Sequence, residues 1–229
     1  MVIPWPASDQ RYFLERLTNY QKEYRTINGI RFLFIIEETR ADSFHACTVN
    51  DVSEMLRHVN PSDYGDLKLI VFRQPKRKEQ ILSGVWGRLI YSYSFEDEDR
   101  PAIIIEAQPL SLKLKWPKSL NPDGLQELAR LRMDGHHIVD EKSKFIIHST
   151  KDSIRNTQLY RTLPHEIGHY KHYLEVVGNS KNLSEEEFER REDVYFNIPK
   201  QEQEKFAHHY ADFLSKTLIS SNAIPFERL

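Results

Sequence analysis

The sequence predicts an α+β fold: a mostly antiparallel sheet, a helix carrying metal-ligating residues packed on it, and an amphipathic C-terminal helix. Three observations point there. Short apolar or alternating runs crowd the stretch from Ile30 to Trp116. Helical periodicity dominates beyond Asp123. Between them the chain carries His165-Glu166-Ile167-Gly168-His169, a spacing that only a helix turns into a site. The chain has 229 residues, 39% hydrophobic and 29% charged, enough for the packed core of one large domain or of one and a half small ones.

Ser8 to about Tyr24 reads as a first helix, with Tyr12, Phe13, Leu17 and Tyr20 as its stripe and Asn28-Gly29 as its end. Ile30 to Glu37 reads as a strand covered on both faces, because it is almost continuously apolar. Val52 to Val59 is a short helix, and Leu67 to Phe72 a second strand. Gln74 to Glu79 reads as a charged turn. Val85–Phe95 and Ala102–Ala107 are strands joined across the acidic Glu96–Asp99 tip. Ser111 to Trp116 alternates like an edge strand with its lysines outward. Residues 117–122 break both periodicities, which divides an N-terminal α/β region (1–116, free to share the sheet) from a C-terminal core (117–229).

In that core, Asp123 to Met133 is a helix, and Lys144 to His148 a short strand that could receive an extended peptide by strand addition. Thr162 is the expected N-cap of the motif helix, Pro164 falls in its first turn, and Gly178 supplies the stop. Glu185 to Asp193 is a charged, solvated helix face. Gln201 to Ser220 is amphipathic, with Phe206, Tyr210, Phe213, Leu214, Thr217 and Leu218 as the expected core stripe.

Residues four apart on a helix share a face, so His165 and His169 can grip one metal ion from consecutive turns while Glu166 reaches a water beside it. With 10 histidines in 229 residues, the pattern arises by chance on the order of 0.04 times. Two imidazoles suit zinc and leave room for a third ligand and a water. The chemistry implied is zinc-dependent hydrolysis, with a peptide or protein as substrate. The metzincin continuation fails, because His172 and Glu175 stand where Gly and His are needed. Glu204 is the better third ligand: Ala207 and Ala211 lie near its face and let that helix approach closely. Glu185, Glu186 and Glu187 are alternatives.

The stretch Thr162-Leu-Pro-His-Glu-Ile-Gly-His-Tyr170, followed by Glu204-Lys-Phe-Ala-His-His-Tyr-Ala211, resembles the ImmA/IrrE-like metallopeptidases among the gluzincins. The resemblance covers roughly residues 144–216. It implies a zincin-like fold, zinc on His165, His169 and Glu204, and Glu166 as general base. Three positions depart from the family pattern: His208 stands where Asp or Asn is usual, Tyr210 where Phe is usual, and Pro164 where Ala is usual. His208, His209, Tyr210, Tyr195 and His172 are candidates for stabilising an oxyanion, and His208, where the family has a residue that orients a ligand, is also a candidate for orienting or joining the metal set. A zincin-like regulatory or binding module, keeping the metal with little or no proteolysis, is the alternative.

Other classes are disfavoured. Net charge is −2 with both signs interspersed, so no nucleic-acid or membrane partner is indicated. Cys47 is the sole cysteine, which excludes an intrachain disulfide. Glycine signatures for nucleotides and the G-x-S-x-G elbow are absent. The opening residues carry neither a basic nor an apolar leader segment, and the expected location is cytoplasmic.

Overall fold

The computed structural model describes residues 16–83, 85–178 and 183–229. In chain order the elements are β1 (Tyr20–Ile27), β2 (Ile30–Glu37), β3 (Ser43–Phe44), α1 (Val49–Arg57), α2 (Pro61–Tyr64), β4 (Leu69–Arg73), α3 (Arg77–Ser83), β5 (Gly87–Phe95), β6 (Glu98–Glu106), β7 (Gln108–Pro109), β8 (Lys113–Pro117), α4 (Pro122–Met133), β9 (His137–Asp140), β10 (Lys144–His148), α5 (Lys151–Asn156), α6 (Leu163–Val177), α7 (Glu185–Phe196) and α8 (Lys200–Ser220). A π-helical segment, Thr157–Thr162, joins α5 to α6. The fold is α+β.

The main sheet has the order β1-β2-β4-β6-β5. Its outer pairs are antiparallel, but β2, β4 and β6 run parallel, so the sheet is mixed rather than mostly antiparallel. The reason lies in the connections. Helices α1 and α2 return the chain between β2 and β4, and such crossovers make neighbouring strands parallel. Parallel strands are buried on both faces, which accounts for the unbroken apolar runs. Phe34, Ile70, Phe72, Ile103 and Ile105 face one core together with Leu163, Ile167 and Tyr173 of α6. Leu33, Ile35, Leu69, Val71 and Ile104 face the other.

Two expected elements are corrected. Residues 8–15 of the expected first helix lie outside the described residues, and Tyr20–Tyr24 belong to β1 instead. Asn28 and Gly29 have φ of 50° and 78°, the two-residue turn that matches hairpin twist, so they join two strands rather than end a helix. Arg77–Ser83 is helical where a charged turn was expected.

A smaller antiparallel sheet has the order β8-β10-β9. β8 is the expected edge strand, with Lys113 and Lys115 exposed. β10 is paired on both sides, so its hydrogen bonds are taken and it cannot receive a peptide by strand addition. No helix among the described residues is long and apolar enough to cross a membrane.

Candidate metal centre

Thr162 does not cap a helix. It is itself helical and makes no side-chain cap bond, because the chain runs unbroken from α5 through the π segment into α6. The N-cap is Thr150, whose side chain accepts from Ser153 N–H in a capping box. Pro164 therefore sits well inside a helix, where its missing N–H leaves a carbonyl four residues back without a partner. That carbonyl belongs to Tyr160, and Ser215 Oγ of α8 donates to it at 2.9 Å. Gly178, at φ 83°, ends the helix as expected.

α8 crosses α6 at Gly168. A Cβ there would lie 3.0 Å from Ala207 Cα, 3.0 Å from Ala207 O and 3.1 Å from Tyr210 Cβ. Glycine on one helix and alanine on the other allow this approach, and Ala207 and Ala211 are buried in the seam. Phe213 is instead 66% exposed and Thr217 is also exposed, so the core stripe of α8 is displaced from the expected one toward Ala207, Ala211 and Leu218. Small residues carry the contact, and hydrophobic periodicity weights them too lightly.

The close approach brings three expected ligand residues together. His165 Nε2 and His169 Nε2 are 3.1 Å apart. Glu204 Oε2 is 3.3 Å from the first and 3.8 Å from the second. The two imidazoles hold the Glu204 carboxyl well below the usual carboxylate range, against the opposing effect of its partial burial. His208 forms a second set with His165 and Glu204, with ligand atoms all within 4.8 Å of one another. Its ring centroid is 4.4 Å from that of His165. Burial, then the neighbouring His165 and Arg130, lower its pKa to about 4. In the set with His169, two nitrogens and a carboxylate oxygen within 3.8 Å of one another could hold a metal ion.

Glu166 points elsewhere. Its Oε2 accepts the Leu89 backbone N–H of β5 at 2.8 Å. Burial raises its pKa, partly opposed by His165, His169 and that N–H. β5 comes so near because Gly87 has no side chain: a Cβ there would meet Ile104 O at 2.7 Å and Thr162 Cγ2 at 3.1 Å. A cleft of about 260 Å³ opens over these groups, lined by Trp86, Gly87, Thr162, His165, Glu166 and His208 among others.

The remaining candidates are not brought in. His209 is exposed, since one residue of helical rotation carries it off the face His208 occupies. Tyr210 packs against the main core, and its hydroxyl donates to Asp63 Oδ2 at 3.0 Å. Glu187 is held by Arg190 and Arg191 on the surface, and Glu175 by Lys171. His136, of the adjacent pair His136-His137 that the sequence also offers, is buried between Ser149 Oγ and Thr157 Oγ1. His172 stacks on Phe206. The sequence reading missed the part played by β5. The signal was Gly87, a glycine inside a strand, which marks a close approach of neighbouring chain.

Compared with known proteins, the chain matches no family model, no curated protein and no solved structure.

Proposed function

We propose that this protein is a zinc-dependent metallopeptidase. One observation carries the reading: His165 and His169 on one helix and Glu204 on another turn their donor atoms to a common point. A tetrahedral zinc with bonds of ~2.0–2.1 Å needs donor separations of about 3.3 Å. The separations of 3.1, 3.3 and 3.8 Å bracket that value. The donor set, two imidazoles and a carboxylate, is also one that zinc accepts in catalytic sites. Zinc bound there supplies Lewis acidity toward a peptide carbonyl and lowers the pKa of a water.

The chain's own residues do the rest. Glu166 takes one proton from the attacking water as its oxygen joins the carbonyl carbon. It then passes a proton to the amide nitrogen as the C–N bond breaks. Leu89 N–H keeps one of its carboxylate oxygens oriented. His208, which lines the cleft beside His165, would hydrogen-bond the oxyanion. This reading agrees with what the ImmA/IrrE-like resemblance implies for the same four residues, His165, Glu166, His169 and Glu204.

The test is metal content followed by hydrolysis. Zinc-reconstituted parent protein should hold about one ion per chain, as a three-ligand site implies, and His165→Ala and Glu204→Ala should lose it. Glu166→Gln should keep the ion and abolish cleavage of a peptide library. A parent that takes up no zinc, or a Glu166→Gln variant as active as the parent, overturns the proposal.

A further inference from the structure

The cleft over the candidate centre does not end at its own walls. Arg130, Arg161, Ala211 and Asp212 line it and also line a second space of about 510 Å³. Ala129, Met133, Ile219, Ile224 and Pro225 give that space an apolar side. Its size falls within the ~300–1,000 Å³ usual for ligand pockets.

Most charged groups around the two spaces are accounted for. Arg161 donates to Asp134 Oδ2 at 2.8 Å and to both oxygens of Glu127 at 2.7 Å. Asp212 and Lys216 are exposed and opposite in sign. Arg130 differs. Its side chain keeps only 13% of its surface, and its ion-pair contact, Glu127 Oε2, lies at 3.9 Å. That is beyond hydrogen-bond reach, and Arg161 already holds both Glu127 oxygens. Among the described residues the Arg130 guanidinium makes no hydrogen bond, yet none of its nitrogens is shielded from solvent as Arg161 Nη2 is. Its donors therefore open onto the space they line. The charge also acts on His208, whose ring centroid is 4.4 Å from that of His165. A guanidinium largely withdrawn from water, with five N–H donors and no acceptor on its own chain, favours an anion that arrives from outside.

We infer that Arg130 anchors a carboxylate of the peptide substrate where the cleft joins the larger cavity, and so selects peptides that carry one, an inference that rests on the peptidase reading above. A carboxylate is planar and matches the guanidinium fork with two parallel hydrogen bonds. A neutral peptide would displace water from Arg130 and return only uncharged carbonyls. A lysine or arginine side chain would meet a like charge. Within a peptide the carboxylate has two sources, the C-terminus and an aspartate or glutamate side chain.

Ligand-observed NMR on the full-length protein, without added zinc, tests this without turnover. Three ligands are titrated. N-acetyl-leucine carries only an α-carboxylate, N-acetyl-glutamic acid α-amide only a side-chain carboxylate, and N-acetyl-leucinamide no charge. At least one acid should bind about tenfold or more tighter than the neutral amide, a ratio equal to ~1.4 kcal/mol and near the lower end for a hydrogen bond to a charged group. Preference for N-acetyl-leucine assigns the anchor to a C-terminus, and preference for the glutamyl amide assigns it to an acidic side chain. Arg130→Gln should bring both acids down to the level of the neutral amide. Arg130→Lys, which keeps the charge but loses the fork, should retain only part of the selection. Equal affinities for the three ligands, no binding of any, or selection untouched by Arg130→Gln overturns the inference. The comparison among ligands needs no variant, so it stands even if a variant folds poorly. Neither metal nor hydrolysis enters the titration. Zinc and cleavage without carboxylate selection would sink the anchor alone, and carboxylate selection without zinc uptake would sink the peptidase reading alone.

Discussion

Gly168→Ala tests the seam on which the candidate centre depends, and two effects pull it in opposite directions. In an isolated helix alanine is favoured over glycine by ~1 kcal/mol, so propensity predicts stabilisation. Packing predicts the reverse. The new Cβ would sit 3.0 Å from Ala207 Cα and O and 3.1 Å from Tyr210 Cβ, where ordinary contacts lie at ~3.5–4.0 Å. Two of those three atoms are backbone and cannot rotate away, so α8 must retreat by roughly half an ångström. Overpacking of this kind costs typically ~1–3 kcal/mol, and immovable backbone puts the cost at or above the upper end. The net expectation is a loss of ~2 kcal/mol. For a chain of this size that lowers Tm by ~4–8 °C. The retreat also carries Glu204 away from His165 and His169, which should weaken zinc binding by roughly tenfold or more. Thermal denaturation of the metal-free protein and a competitive zinc titration measure the two effects separately. A Tm that rises by a few degrees would mean that propensity wins and that the seam is looser than these distances require.

Three other perturbations have defined outcomes. Asp51 is fully buried and pairs with buried Arg155 at 2.8 Å; Asp51→Asn should cost ~3–5 kcal/mol in a urea melt, the usual penalty for stranding one partner. Burial alone would raise the Asp51 carboxyl, but bonds from Arg155 and from the Thr48 and Leu229 N–H groups hold it below its ordinary value. The stability it contributes is therefore present above the usual carboxylate range and lost as pH falls below it, which an acid titration of the parent against Asp51→Asn would follow. Burial pushes the Cys47 thiol up to about 12, so Cys47 should resist a thiol reagent at pH ~8 in the native protein and react fully in denaturant. The same shift makes stability fall by up to ~1.4 kcal/mol per pH unit above the thiol's ordinary range, since only the unfolded chain ionises there. Ser215→Ala leaves the Tyr160 carbonyl without its donor and should cost ~1–3 kcal/mol with no new cavity beyond a hydroxyl.

The grouping of His165, His169 and Glu204 was legible because its signal is local. His165 and His169 need only a helix to share a face, and Glu204 declared itself by the alanines beside it. The parallel strands were half legible. The unbroken apolar run Phe32–Ile36 correctly implied two covered faces, and the same signal in Leu69–Phe72 and Ala102–Ile105 marks a parallel centre. β1 was misread for a different reason. Asn28-Gly29 serves as a helix stop or a hairpin turn, and what decides is whether the residues before it can pair with Ile30–Glu37, a fact about tertiary structure rather than about Tyr20–Ile27 themselves.

Pro164 marks the limit of local reading most clearly. Read alone, Thr162-Leu163-Pro164 is a helix beginning, since proline is tolerated in the first turn and threonine caps it. In the folded chain the helix has already run from Lys151, and proline is tolerated for two reasons that lie outside the tripeptide. The π segment lengthens the preceding turn, so that Leu163 N–H reaches back to Gln158 O. The Tyr160 carbonyl that proline leaves unbonded is taken by Ser215, fifty-five residues downstream. The consequence reaches the site. A helix that began at Thr162 would set His165 near free N–H groups and the positive end of its dipole, which disfavours protonation and competes with a cation. A helix capped at Thr150 sets His165 about four turns in and leaves the side chains that line the cleft, Arg130, Arg161 and Asp212 beside His165, Glu166 and His208, as the groups that decide which charge it accepts.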